Sequence, residues 1–225
     1  MSIRENILTI RQNIAGVSPS GAVLLVAATK MNDAEAVSEA VKAGIDACGE
    51  NKVQEFLKKN AQGAYTGAPV HFIGHLQKNK LNKIVGAVDL IQSVDSAELL
   101  TLISKRAQTL GITQDILIEI NIGAEASKSG FSPEALPGAL SLAATQSGIC
   151  VRGLMCVAPI VADAEENVPY FAQMKQLFVD NSGKKYDNVI MDFLSMGMTG
   201  DYIEAIKAGA NMVRIGSAIF GARNY

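Results

Sequence analysis

The chain has 225 residues, 48% of them hydrophobic and 19% charged, and its formal net charge is −2. This much apolar side chain supplies a sizeable core and excludes a disordered polypeptide, while the near-neutral balance gives no electrostatic reason to bind nucleic acid. The cysteines (Cys48, Cys150, Cys156) and histidines (His71, His75) give neither a disulfide framework nor a metal-ligand spacing, and the apolar settings of the cysteines suggest buried, reduced thiols.

In chain order, the first predicted element is a helix over residues 3–14. The opening Met1-Ser2-Ile3-Arg4-Glu5-Asn6 lacks the long uncharged core of a signal peptide. No apolar stretch approaches the roughly 20 residues that span a bilayer. The expectation is a cytoplasmic protein with no membrane partner. Short apolar runs then alternate with longer amphipathic segments. Strands are predicted over residues 22–28, 45–48, 70–73, 90–93, 116–120, 151–155, 189–194 and 212–215. Helical periodicity marks 34–43, 97–110, 133–147, 168–178 and 201–208. The basic run at 77–83 has no interleaved aromatics for base stacking and reads as the solvated face of a helix. Strands this apolar, separated by helices, form a parallel sheet covered on its exposed face.

Such β-α units in one domain, residues 1–225, predict a (β/α)8 TIM barrel with an extra N-terminal helix, a fold that needs ~250 residues and can be as short as ~200. The competitor is a doubly wound open sheet, whose dinucleotide form carries G-x-G-x-x-G after its first strand. Here that turn reads Ala28-Thr29-Lys30-Met31-Asn32-Asp33, without a glycine.

In barrels the chemistry sits at the carboxyl ends of the strands. The first end presents Lys30. A lysine against an apolar wall loses hydration, which lowers its pKa and favours the neutral amine. Such an amine forms a Schiff base with an aldehyde, and pyridoxal 5'-phosphate (PLP) is the aldehyde proteins most often hold this way. The plain alternative is a solvated lysine opening a loop. The second end gives Gly49-Glu50-Asn51 and a helix carrying Gln54. The third gives Gly74-His75-Leu76-Gln77 after His71, a histidine read as satisfied in the core. The fifth gives Asn121, with Ser127-Lys128-Ser129-Gly130 beyond it.

The seventh and eighth ends, Ser195-Met196-Gly197-Met198-Thr199 and Arg214-Ile215-Gly216-Ser217, look like a phosphate site. Ser195 offers a hydroxyl, Gly197 allows close backbone approach, and Gly216 and Ser217 present backbone donors ahead of a short helix. The alternative is that these glycines only make tight turns. Arg214, inward on an apolar strand, requires a partner. That partner is a cofactor phosphate, a ring nitrogen, or an acid such as Asp192 or Asp201. Facing a pyridine nitrogen, arginine could supply no proton, which disfavours carbanion chemistry.

Together these segments resemble the pyridoxal phosphate homeostasis proteins, the YggS-like group related to the barrel domain of alanine racemase. The likeness spans nearly the whole chain. It rests on Gly49-Glu50-Asn51 with Gln54, on His71-Phe72-Ile73-Gly74 with Leu76-Gln77 and Asn79-Lys80, and on Asn121 with Lys128-Ser129-Gly130. It also rests on Arg152-Gly153-Leu154-Met155, on Ser195-Met196-Gly197-Met198 with Asp201, and on the run from Val213 to Gly221. The chain departs from the family at Thr29-Lys30-Met31-Asn32, where Ser-Lys-Thr-x-Pro is common, and at Ser217, where Thr is frequent.

The resemblance implies a fold-type III PLP barrel with Lys30 as the Schiff-base lysine. Ser195, Gly197, Gly216 and Ser217 would hold phosphate, Arg214 would lie near the ring nitrogen or phosphate, and Asn51 near the cofactor. It implies a monomeric carrier in vitamin B6 homeostasis, without robust catalysis, that passes PLP to apo-enzymes. The alternative is a single-domain PLP-dependent amino-acid racemase or decarboxylase. Alanine racemase uses a second domain and a tyrosine opposite the lysine, and with the sequence ending at Tyr225 the expectation is that neither is part of this protein.

Overall fold

In the computed structural model, which describes residues 2–18, 23–183 and 186–221, eight parallel strands close into a barrel in sequence order. Ser2 caps the first helix, α1 (Ile3–Val17), in a reciprocal capping box with Glu5. The units that follow are β1 (Leu24–Ala28) and α2 (Ala34–Lys42), then β2 (Ala47–Glu50) and α3 (Val53–Ala61). After β3 (Val70–Phe72) comes a 3-10 helix, Lys78–Lys83, in place of an α-helix. The chain continues with β4 (Leu90–Val94), α4 (Ala97–Leu110), β5 (Gln114–Ile120), α5 (Leu136–Ala144), β6 (Ile149–Cys156) and α6 (Val168–Ser182). It closes with β7 (Val189–Ser195), α7 (Tyr202–Lys207), β8 (Met212–Ile215) and the one-turn α8 (Ser217–Phe220).

The barrel is therefore the predicted one, with shifts at element ends. The second strand is displaced, running through Gly49 and Glu50 instead of stopping before them. The basic run forms the 3-10 helix, and where residues 133–147 were expected to be one helix, Pro133–Ala135 is a 3-10 turn and α5 ends at Ala144. Ala22 of the first predicted strand and Tyr225 lie outside the described residues. Among the described residues no helix is long and apolar enough to cross a membrane.

Alternation along the strands splits the core in two. One set of side chains packs between barrel and helices. The other, Val26, Ala47, Leu90, Leu117, Met155 and Met212, fills the barrel interior. The same phase, set by Leu24 and Val26 and continued past the end of β1, would turn Lys30 to the inner side of the carboxyl-end mouth, and Thr29 lies on the outer side. Pairing of Val26 with Arg214 and of Ala27 with Ile215 sets β8 beside β1, so Gly216 meets Ala28 at that mouth.

The extra helix α1 buries Ile7, Ile10 and Ile14 against the outside of the barrel, each worth about 1.5–3 kcal/mol relative to exposure. It also fixes the last units. Asn6 Nδ2 donates to Ile219 O of α8 at 2.8 Å, and Asn13 Nδ2 to the Tyr202 hydroxyl of α7 at 3.0 Å. A segment outside the barrel repeat thus backs the loops after β7 and β8.

Candidate functional site

Lys30 leaves β1 on a held segment of backbone. The N–H of Thr29 donates to Gly49 O at 2.9 Å, continuing the sheet one residue beyond the strand. On the outer side, the Thr29 hydroxyl donates to Glu50 Oε1 at 2.5 Å, and the same oxygen accepts from Lys59 Nζ at 2.6 Å and the Tyr65 hydroxyl at 2.9 Å. Lys59 Nζ also donates to Thr29 O at 2.7 Å. Glu50 is thus buried behind the mouth and does not line it. Its Oε2 has no hydrogen-bond partner among the described residues. Burial and the neighbouring Glu50 carboxylate push the Tyr65 hydroxyl far above its usual range, so it stays a donor. Glu50 was expected at the second strand end, but its buried partners Lys59 and Tyr65 were not, because a lysine on a helix reads as solvated and a loop tyrosine carries no pattern. The one signal was the odd-even phase of β2, which sends Glu50 opposite to Ala47 and Asn51.

Inside the barrel, one level below the mouth, four polar side chains form a directional chain. Arg214 Nη1 donates to Ser195 Oγ at 2.5 Å. Ser195 Oγ donates to Gln92 Oε1 at 2.7 Å, and Gln92 Nε2 lies 2.9 Å from His71 Nδ1. Burial lowers the His71 pKa to about 4, so the ring is neutral near pH 7 and accepts from Gln92. Arg214 Nη2 donates to Cys156 O at 2.6 Å.

Arg214 is 4% exposed, and among the described residues neither of its bonded partners is a carboxylate. Burial lowers its pKa, but a guanidinium remains a cation. The two acids considered as its partners are engaged elsewhere. Asp192 binds Arg152 at 2.5 Å, and Asp201 accepts from Met198 N at 2.7 Å and Asn167 Nδ2 at 2.9 Å. A buried cation whose direct hydrogen bonds go to neutral groups, with the Glu119 and Asp201 carboxyls acting on it only at longer range, suits an anion or a lone-pair acceptor arriving at the mouth.

The loops after β7 and β8 meet there. Gly197 has φ +91°, and a Cβ at that position would fall 2.6 Å from Ala205 Cβ, so only glycine lets the turn lie against α7. Gly197 O accepts the Arg214 N–H at 3.0 Å. Thr199 Oγ1 accepts from Ala218 N at 3.4 Å, tying the two loops together. Gly216 leads into α8, whose first N–H, that of Ser217, has no acceptor inside the helix. Ser217 is exposed. The Ser195 hydroxyl, expected to hold phosphate, donates to Gln92 and accepts from Arg214.

The other predicted residues divide. Asn51, in phase with Ala47 and Gly49, lines a cavity of about 240 Å³ with Gly74, His75, Glu119, Lys128 and Val157, and its buried Oδ1 has no partner among the described residues. Asn121 organises its own loop, donating to Glu125 O and Lys128 O and accepting from Glu125 N. His75 is largely exposed, its Nδ1 3.0 Å from Asp95 Oδ2. Cys48 and Cys156 are buried thiols pushed up to about 12, chiefly by burial, whereas Cys150 is only half-buried. Glu119 was missed. Burial first and then Asp95 raise its pKa to about 7, against Arg214 and His75, which lower it. Its sequence signal was a lone acid at an inward position of the apolar run Ile116–Ile120.

The donor set fits one ligand type. The Lys30 amine, a buried guanidinium with no directly bonded carboxylate among the described residues, and the first N–H of α8 are donors suited to an aldehyde that carries a ring acceptor and a phosphate, and Asn51 Oδ1 adds an acceptor for a ligand hydroxyl.

Comparison with known proteins agrees with the architecture. The family model for the alanine racemase N-terminal domain matches residues 1–224. A pyridoxal phosphate homeostasis protein of Aquifex aeolicus is 40% identical over 201 residues, 89% of this chain and 87% of that one. Its counterpart in Escherichia coli K12 is 35% identical over 232 residues, 99% and 97% of the two chains. The structure of PipY from Synechococcus elongatus with PLP bound superposes with a TM-score of 0.86 at 31% identity, covering 98% of this chain and 100% of PipY. An alanine racemase of Clostridium difficile shares the fold, with a TM-score of 0.71 at 16% identity over 57% of its length.

Proposed function

Because the chain belongs to the alanine racemase N-terminal domain family, we propose that it binds PLP as a Schiff base on Lys30 and serves intracellular PLP homeostasis, passing the cofactor to apo-enzymes. The relatives named as PLP homeostasis proteins and PLP-bound PipY support this reading. The observation that carries it is Arg214, a buried guanidinium without a carboxylate partner at the mouth that Lys30 enters.

When bound, PLP supplies an aldehyde that a lysine amine captures reversibly. The chain's residues do the rest. Lys30 provides the amine. Arg214, braced by Ser195 and the Cys156 carbonyl, presents a donor that cannot surrender its proton. A pyridine nitrogen facing it would stay unprotonated and draw electrons weakly, which favours holding over turnover. The Ser217 N–H and hydroxyl and the backbone at Gly216 would take the phosphate, with Gly197 shaping the adjacent turn. Asn51 brings an unsatisfied acceptor to the same rim.

The test is a spectrum of the purified protein. The parent shows the visible absorbance of a lysine-bound PLP, and Lys30→Ala loses that band while keeping its circular dichroism. An unchanged band in the mutant refutes the assignment.

A further inference from the structure

Lys30 sits between two peptide groups, each gripped by a side chain of α3. The carbonyl before it, Thr29 O, accepts from Lys59 Nζ at 2.7 Å, and the N–H after it, on Met31, donates to Glu55 Oε2 at 2.7 Å. Glu55 and Lys59 are one helical turn apart, so a single helix face holds both sides of the lysine. Met31 lies at φ +64°, unfavourable for a residue with a Cβ, and its side chain is 60% exposed. Packing of Met31 therefore does not account for that conformation. The grip from α3 holds it together with a local turn, in which Asn32 N–H donates to Thr29 O at 3.2 Å and Asn32 Nδ2 to Lys30 O at 3.1 Å. Backbone held against its own preference persists only where its surroundings over-determine it, and it gathers at ligand sites.

The anchor of the grip is buried. Lys59 is 4% exposed, and the carboxylate it binds, Glu50, also takes the Thr29 and Tyr65 hydroxyls. A lone helix lysine rarely warrants so many buried polar groups. They converge on Thr29, the residue before Lys30, while the residue after it is held by Glu55 alone among these side chains.

We propose that Glu55 and Lys59 are positioning residues for Lys30: they fix the peptides on its two sides so that the side chain enters the barrel mouth already ordered. The proposal rests on the PLP reading of Lys30. Ordering the turn in advance removes a conformational cost from ligand capture, so its loss appears in affinity more than in folding. Neither residue needs to touch the ligand.

The test uses the full chain and PLP itself. Glu55→Ala removes the acceptor for Met31 N–H, while Glu55→Gln keeps an oxygen there. For Lys59 the single change strands a buried carboxylate, so Glu50→Leu with Lys59→Met removes both charges together. Each variant is titrated with PLP by absorbance, the adduct is trapped with borohydride and mapped, and the thermal midpoint of the unliganded protein is measured. Glu55→Ala and the double variant should weaken PLP binding about tenfold, the worth of one charge-assisted hydrogen bond, and Glu55→Gln should restore most of it. A thermal midpoint that falls while the dissociation constant stays at the parent value overturns the positioning role. A parent protein without an adduct on Lys30 overturns the PLP reading instead, and this proposal with it.

Discussion

The guanidinium of Arg214 and the side-chain oxygen of Gln92, on opposite sides of the barrel, are joined through the single hydroxyl of Ser195. That hydroxyl accepts from one and donates to the other, so the interior chain has one direction and fixes where the cation sits. Ser195→Ala should leave Gln92 Oε1 without its donor and free an Arg214 donor. Each orphaned buried group costs about 1–3 kcal/mol. Urea denaturation of the unliganded protein should show a loss of that size, with a lysine adduct still formed.

Arg214 itself trades in the other direction. A buried charge without an acid partner contributes little to folding, so Arg214→Met should leave the thermal midpoint of the unliganded protein within a few degrees. PLP affinity should fall at least tenfold, because the ring or phosphate loses its buried donor. Titration and differential scanning fluorimetry on the same sample separate the two effects.

Gly197→Ala forces a Cβ to within 2.6 Å of Ala205 at φ +91°. Strain and crowding together should cost about 2–4 kcal/mol and displace the loop that receives the Arg214 N–H. Both stability and PLP affinity should drop, read as a lower denaturation midpoint and a weaker titration.

Two buried groups give the molecule opposing pH dependences. Glu119 titrates at about 7 when folded, above its ordinary 4.5, so the stability linked to its proton is complete below pH 4.5 and is lost as pH rises through 7. His71 titrates at about 4, below its ordinary 6.5, so its contribution is complete above pH 6.5 and is lost as pH falls towards 4. Each is worth about 3 kcal/mol at most, and across the acid range they largely cancel in the parent. Glu119→Gln uncovers them: it should equal the parent near pH 4.5, exceed it by about 2–3 kcal/mol at pH 8, and fall off more steeply in acid. Denaturant midpoints at pH 4.5, 6 and 8 check this.

Much of the barrel was legible because each buried strand is a short apolar run and each helix carries its own period, and Lys30 and Arg214 stood out as charges ending such runs. The second strand slipped because Gly49 and Glu50 look like a turn. They are strand residues, with Gly49 inside beside Val26 and Glu50 outside under α3. The network of Glu50, Lys59 and Tyr65 was invisible because it assembles residues from β2, α3 and the loop beyond, each ordinary where it stands. Gln92 and Glu119 were hidden for a related reason. Their importance comes from facing the barrel axis, and the residues they meet lie far off in sequence.

The proposed capture of PLP depends on the amine of Lys30 meeting it at the barrel mouth beside Arg214. Borohydride reduction of the PLP-loaded protein, followed by peptide mapping, tests this directly. The account predicts a single pyridoxyl group on Lys30, with the visible band lost on reduction. A label on another lysine, or none on any, contradicts it.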